Sequence, residues 1–158
     1  MIFVENKQEL VKQVSIAIGK YGMKANLNHI DTSRVTNMSN LFCNARFNGR
    51  IDQWNTENVE DMRWMFFGSE FNGDISGWNT SKVVNMSDMF CDSKFNGYIG
   101  KWDTGNVIFM DEMFCNSRFN KDISGWNVER VTGMFRMFAV SSRFNQDIGQ
   151  WNIRSLKD

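Results

Sequence analysis

A 24-residue sequence repeat is the feature that most constrains the fold of this 158-residue chain. Each repeat unit, called a row here, opens with Phe-Asn and then carries an Ile, a Trp, a Val, a Met and a Met-Phe pair at fixed spacings. The rows begin at Phe47, Phe71, Phe95, Phe119 and Phe144, and a degenerate row begins near Met23. Such a period predicts a repeat protein, in which each unit buries its apolar face only against its neighbours.

Each row divides into two halves with different apolar spacing. The half from the Ile to the Trp is short, and we expect it to be extended and to pair in parallel with the next row at about 4.8 Å. The other half, which holds Val83, Met86 and Met89-Phe90, predicts about two turns of helix, with Thr80 as a cap. Stacking would place the Trp residues in one buried ladder: Trp54, Trp78, Trp102 and Trp126.

These halves predict an α/β solenoid of about five rungs over residues 27–158. A right-handed course is expected because crossovers between parallel strands are right-handed in about 98% of cases. Residues 1–26 lie outside the pattern, and we expect them to form an N-terminal helical cap. The expected helix spans residues 7–18, and its apolar side would hold Leu10, Val11, Val14, Ile16 and Ile18.

The row Phe-Asn-x-x-Ile-x-x-Trp-Asn-Thr-x-x-Val-x-x-Met-x-x-Met-Phe at 71–90, with a close copy at 95–114, resembles the BspA-like leucine-rich-repeat family. That family is abundant among mycoplasma and other bacterial surface proteins, with repeats of the same length as these rows, and the resemblance covers roughly residues 27–158. It implies a solenoid of the leucine-rich-repeat type and a role in adhesion or protein binding. It implies no enzymatic activity.

The charge balance and the N-terminus restrict the function further. Lys and Arg together number 18, as do Asp and Glu, so the formal net charge is zero, which disfavours nucleic-acid binding. No apolar run approaches the roughly 18 residues of a membrane span. Because residues 1–10 are too polar for a signal peptide, we expect a cytoplasmic protein, or a cell-surface protein if a signal has been removed.

The sequence contains no pattern typical of catalysis, a metal or a cofactor, and we expect none of the three. His29, the single histidine, has no cysteine near it in sequence. Cys43, Cys91 and Cys115 share one column of the repeat, which should place them in a line rather than around an ion. At helical spacing, Cys91 and Cys115 would also be too far apart for a relaxed disulfide. Constant Asn columns, beginning at Asn48 and Asn55, are interpreted as structural ladders.

Four aromatic residues break columns that are polar or charged in the other rows, and we predict that they bind a partner: Trp64, Tyr98, Phe109 and Phe135. Packing against a neighbouring rung is the alternative for each. At the other extreme of the chain, the last row has a neighbour on one side only. It could therefore join a second copy of the chain through Phe144, Ile148 and Trp151, or the chain could be part of a longer array of rows.

The leading hypothesis is a non-catalytic protein-protein interaction module that presents a solenoid surface, with an unidentified protein partner. A second hypothesis is a small phage or mobile-element inhibitor that occludes a macromolecular target. A third is a structural protein whose rungs assemble through the C-terminal end into a homodimer or a filament.

Overall fold

The computed structural model describes residues 1–157 and begins with a short strand, a helix and a second strand. Strand β1 (Ile2–Phe3) pairs in parallel with β2 (Ile30–Asp31). Helix α1 spans Lys7–Tyr21. It begins where the side chain of Asn6 accepts a hydrogen bond from the Glu9 amide, and it ends at Gly22, which has a φ of 80°.

Helix α1 lies where the sequence predicts an N-terminal helix and continues three residues beyond the expected end at residue 18. Leu10, Val14 and Ala17 are buried in the same apolar core as the row that follows. Two residues of the predicted apolar side, Val11 and Ile16, are instead exposed. The small Ala17 takes a core position because it lies one turn beyond Val14 on the same face.

Successive rows stack directly on one another. In the Val-to-Phe half, backbone amides of one row donate to carbonyls of the next, as from Met62 to Asn85 and from Met86 to Phe109, both at 2.9 Å. Parallel bridges, each from one row to the same column of the next, join Asn37, Asp61, Asn85, Phe109 and Gly133 in sequence. Among residues 1–157, only the bridge from Asn26 to Arg50 adjoins an Ile-to-Trp half. The sequence predicts parallel pairing in the Ile-to-Trp half, whereas most of the bridges lie in the Val-to-Phe half, so the prediction of where the rows pair is mostly wrong.

The predicted helices in the rows are also wrong, since α1 is the one helix among residues 1–157. The Val-to-Phe halves form consecutive turns, and two positions in most of them have left-handed backbone, four residues apart. In one row these are Asp88 and Asp92, both with a φ of 56°. A left-handed residue cannot continue a right-handed helix, so the amides turn outward and bind the next row.

The predicted Trp ladder is confirmed. Trp54, Trp78 and Trp102 are each 4% exposed, and their rings stack at centroid distances of 6.4 Å from row to row. Each indole Nε1 donates to the carbonyl of the Ile or Leu in the preceding row, as from Trp102 to Ile75 at 3.1 Å. Parallel ladders of Phe rings run beside the indoles, with centroids about 6 Å apart.

The first Asn column is a ladder of hydrogen bonds, as predicted. The side-chain oxygen of each Asn accepts the backbone amide of the next, for example from Asn96 to Asn72 at 2.8 Å. The Thr column does not cap helices. The hydroxyl of Thr80 donates to the Asp103 carbonyl of the following row at 2.9 Å, because no helix N-terminus is present in the described rows to receive it.

Candidate functional site

The four aromatic residues that break the repeat columns are all exposed. The exposed fractions run from 42% to 73%: Phe109 42%, Trp64 43%, Phe135 66% and Tyr98 73%. The aromatic residues of the complete rows' own columns are buried, except Phe138, which is partly buried. The repeat fixes the backbone at these positions, so their exposure follows from the column rather than from a local distortion. Packing against a neighbouring rung, the alternative, does not bury any of the four, and partner binding by these residues stays a prediction.

Trp64 is exposed and yet held in one orientation. Its ring stacks on Phe67 with centroids 5.1 Å apart, and its Nε1 donates to a carboxylate oxygen of Asp88 at 2.9 Å. Burial raises the pKa of Asp88, and the charges of Glu112 and Asp111 act in the same direction. The indole therefore offers a rigid apolar surface beside an acidic group.

Phe109 and Phe135 lie in neighbouring rows, two columns apart. Phe109 forms its parallel bridge to Gly133, and the Phe135 amide donates to the Asp111 carboxylate at 2.8 Å. The guanidinium of Arg136 lies 5.3 Å from the centre of the Phe135 ring. The column that forms the parallel bridges has a glycine only at Gly133 among the bridged residues. An open cavity of about 610 Å³ lies there, beside Phe135.

Tyr98 borders the largest cavity described, an open groove of about 840 Å³ on the Ile-to-Trp side. In three other rows this column holds an aspartate whose side chain closes a turn, as Asp122 does by accepting the Ser124 amide at 2.8 Å, and in the remaining row it holds Arg50. Here Tyr98 replaces the aspartate and Gly100 replaces the serine, so the turn has no such bond. The Lys121 ammonium lies over the Tyr98 ring, 4.5 Å from its centre.

The C-terminal row is stacked but incompletely covered. Phe144, Ile148 and Trp151 are half-buried, while the same columns one row earlier are fully buried. An open cavity of about 460 Å³ adjoins Ile148 and Trp151. The Trp151 Nε1 still donates to the Ile123 carbonyl at 3.2 Å, so the row is held in the regular position.

Three backbone amides of the row beginning at Phe119 also lack a backbone acceptor in the part of the chain that the structure describes. In each preceding row, the amides in the columns of Arg136, Phe138 and Val140 donate to backbone carbonyls of the following row. Within residues 1–157, these three make no such bond. The end of the stack therefore combines an apolar surface with a line of hydrogen-bond donors that have no acceptors beside them in the described part of the chain.

The cysteine column differs from the expectation. The thiols of Cys91 and Cys115 and the carboxylate of Glu112 offer ligand atoms that all lie within 4.8 Å of one another. The rows that carry the two cysteines are joined by backbone bonds at strand-like spacing, not separated by the width of a helix. The argument from helical spacing is therefore wrong, and the arrangement is a cluster rather than a line.

Burial is the main cause that raises the pKa of each thiol in this cluster. For Cys91, the charges of Asp92 and Asp88 raise the pKa further. Both thiols are consequently protonated at neutral pH when no cation is nearby. Cys43 lies two rows away, with Phe67 in the row between, and has no place in the cluster.

Among residues 1–157, no helix is long and apolar enough to cross a membrane. No curated protein and no solved structure matches the chain. One family model matches twice, over residues 12–94 and 70–158, and the two matches together include all the rows of the repeat. Because they span nearly the whole sequence, the chain belongs to the family described as "Mycoplasma protein of unknown function, DUF285".

Proposed function

We propose that this chain is a non-catalytic protein-binding module, built as a right-handed solenoid of the leucine-rich-repeat type. The stacked rows and parallel bridges support the solenoid, and membership of a mycoplasma repeat family is compatible with it. The observation that carries the binding role is the exposure of Trp64, Phe109 and Phe135 in columns that are otherwise polar. Large aromatic side chains held rigidly at a surface contribute most to protein interfaces.

The fixed spacing of the rows explains why such a surface would be specific. Trp64 and Phe109 project from backbone that is hydrogen-bonded to the rows on both sides, and Phe135 from backbone that is bonded to the preceding row, so little conformational entropy is lost when a partner covers these rings. An acidic residue, Asp88, lies beside Trp64. A basic residue, Arg136, lies beside Phe135, so the two aromatic residues have neighbours of opposite charge. A partner would therefore present an apolar centre with a basic group near Trp64 and an acidic group near Phe135.

The test replaces each aromatic residue with the polar residue of its own column, as Trp64→Asp, Phe109→Asn and Phe135→Ser. Quantitative affinity capture from the native host should lose the partner with this triple variant. A control variant, Tyr21→Ser, removes an exposed aromatic on α1 and should retain it. Equal capture by wild type and triple variant, or unfolding of the triple variant by circular dichroism, would overturn the proposal.

Self-association through the C-terminal row is a second candidate, favoured by the half-buried Phe144, Ile148 and Trp151. In a two-fold dimer the amides of Arg136 and Val140, which have no backbone acceptor within residues 1–157, would face other amides rather than carbonyls, which is unfavourable. The pairing would therefore run through the Phe144-to-Trp151 half, with these amides left to water.

Sedimentation of the full chain over a range of concentrations tests this second candidate. Ile148→Lys should shift a dimer towards the monomer, because a buried unpaired charge is costly at an apolar contact. Val11→Lys is the control, since Val11 is 41% exposed on α1 and lies outside the C-terminal row. A wild-type protein that remains monomeric at high concentration would refute self-association.

A further inference from the structure

We infer that Cys91, Glu112 and Cys115 form a binding site for a thiophilic divalent cation of the zinc class. Two sulfur ligands and one carboxylate oxygen come within 4.8 Å of one another, from two rows whose relative position is fixed. A set of two thiolates and a carboxylate suits Zn²⁺ or Cd²⁺ better than the hard cations, which prefer oxygen ligands alone.

The backbone explains how three ligands converge in a chain built from one regular repeat. The Phe90 amide donates to Met113 at 3.0 Å, and the Asp92 amide donates to Cys115 at 2.9 Å. These two bonds flank Cys91 and hold it against Cys115. The Cys115 amide donates to the Glu112 carbonyl at 3.0 Å, which closes a turn and returns the Glu112 side chain towards the thiols.

The distances leave only a small adjustment for a cation. Around a tetrahedral ion with metal–sulfur bonds of about 2.3 Å, two sulfur atoms stand roughly 3.8 Å apart. The present separations of up to 4.8 Å therefore need to close by about 1 Å, which side-chain rotation can supply. Three protein ligands leave a fourth position for water or a further carboxylate.

The surroundings favour positive charge. The Asp92 carboxylate lies 3.9 Å from the Cys91 sulfur, and the Asp88 amide donates to the Asp111 carbonyl at 2.8 Å, which places two further acidic residues in the same two rows. Arg136 is the cation whose charge reaches Cys115. Since carboxylates outnumber basic groups around the buried Cys91 and the half-buried Cys115, a bound divalent cation would relieve the repulsion between those carboxylates.

No other pair of rows has this combination. The row before Cys91 has Phe67 in the cysteine column and Trp64 in the glutamate column, and the row after Cys115 has Ala139 and Arg136. The site is therefore a local departure from the repeat rather than a property of the repeat itself. Cys43 supplies a matched control, because it is a half-buried cysteine of the same column outside the cluster.

The experiment titrates the reduced full-length protein with Cd²⁺ alone, in a non-thiol reductant, and follows the thiolate-to-cadmium charge-transfer absorption. We expect saturation at one ion per chain, with Zn²⁺ in competition. Cys43→Ser should leave the titration unchanged. Cys115→Ser and Cys91→Ala should each weaken binding by more than the roughly 10- to 100-fold that changes around a metal's ligands cost.

Glu112→Gln separates a three-ligand site from a simple pair of thiols, since it should weaken Cd²⁺ binding by at least about tenfold and leave the absorption band in place. Circular dichroism confirms that each variant is folded, and Cys115→Ser, at a half-buried position, is the least disruptive. The inference fails if wild type shows no saturable band, if Cys43→Ser abolishes the band, or if folded Cys115→Ser binds as wild type does.

Discussion

Truncation of Trp102 to Ala tests the central element of the stack, the indole ladder. The side chain is 4% exposed. Its ring stacks on Trp78 with centroids 6.4 Å apart and packs against Phe90 with centroids 6.3 Å apart. A buried Trp removes about 200 Å² from water, which at roughly 25 cal/mol per Å² corresponds to about 5 kcal/mol. A compact unfolded chain lowers this figure by about 10–40%, so we expect Trp102→Ala to lower the free energy of unfolding by about 3–4.5 kcal/mol.

Urea denaturation, followed by far-ultraviolet circular dichroism, measures this loss. Trp102→Phe separates the two contributions, because it retains most of the apolar contact and leaves the Ile75 carbonyl without its donor, at a cost of about 1–3 kcal/mol. Trp151→Ala is the control for burial, since Trp151 makes the same hydrogen bond from a half-buried position and should cost clearly less. A loss below about 1 kcal/mol for Trp102→Ala, or an equal loss for Trp151→Ala, would refute the ladder argument.

Two further predictions concern polar groups of the stack. Asn96→Ala should lower the free energy of unfolding by about 0.5–1.5 kcal/mol in urea, because the Asn120 amide loses its acceptor. Asn145→Ala is its control, since no described residue donates to that side chain, and equal losses would argue against the Asn ladder. Burial raises the pKa of Asp88 in the folded chain, so the charged carboxylate destabilises the fold relative to the unfolded chain. The free energy of unfolding should therefore increase as the pH falls through the raised pKa and Asp88 becomes protonated. Asp88→Asn should remove that gain in urea titrations at several pH values, and an unchanged pH dependence would contradict the assignment.

The cysteine cluster shows where the sequence reasoning failed on the candidate site. The sequence places Cys91 and Cys115 one period apart and Glu112 three residues before Cys115. That signal was present, but its meaning depends on the distance between rows. Helical spacing would separate the thiols, whereas strand-like spacing brings them together, and the apolar pattern alone does not distinguish the two.

The exposed aromatics were predictable for the opposite reason. Trp64 and Phe135 were identified because they differ from the residues of their own columns, and the column determines burial whatever the backbone conformation. The groove at Tyr98 could not be anticipated, since it depends on the loss of a turn-closing carboxylate and on the neighbouring rows that form its walls.

The period of the repeat, the buried ladders and the N-terminal helix can all be deduced from side-chain character, because a column that is apolar in every row has to be buried in every row. The route of the backbone hydrogen bonds cannot be deduced in this way. Apolar residues three apart fit a helix, in which an amide binds a carbonyl of its own segment, and equally a turn whose amides bind the next row. Left-handed residues such as Asp88 and Glu112 select the second arrangement, and the carbonyls that receive those amides belong to the following row, which only the stacked chain brings within reach.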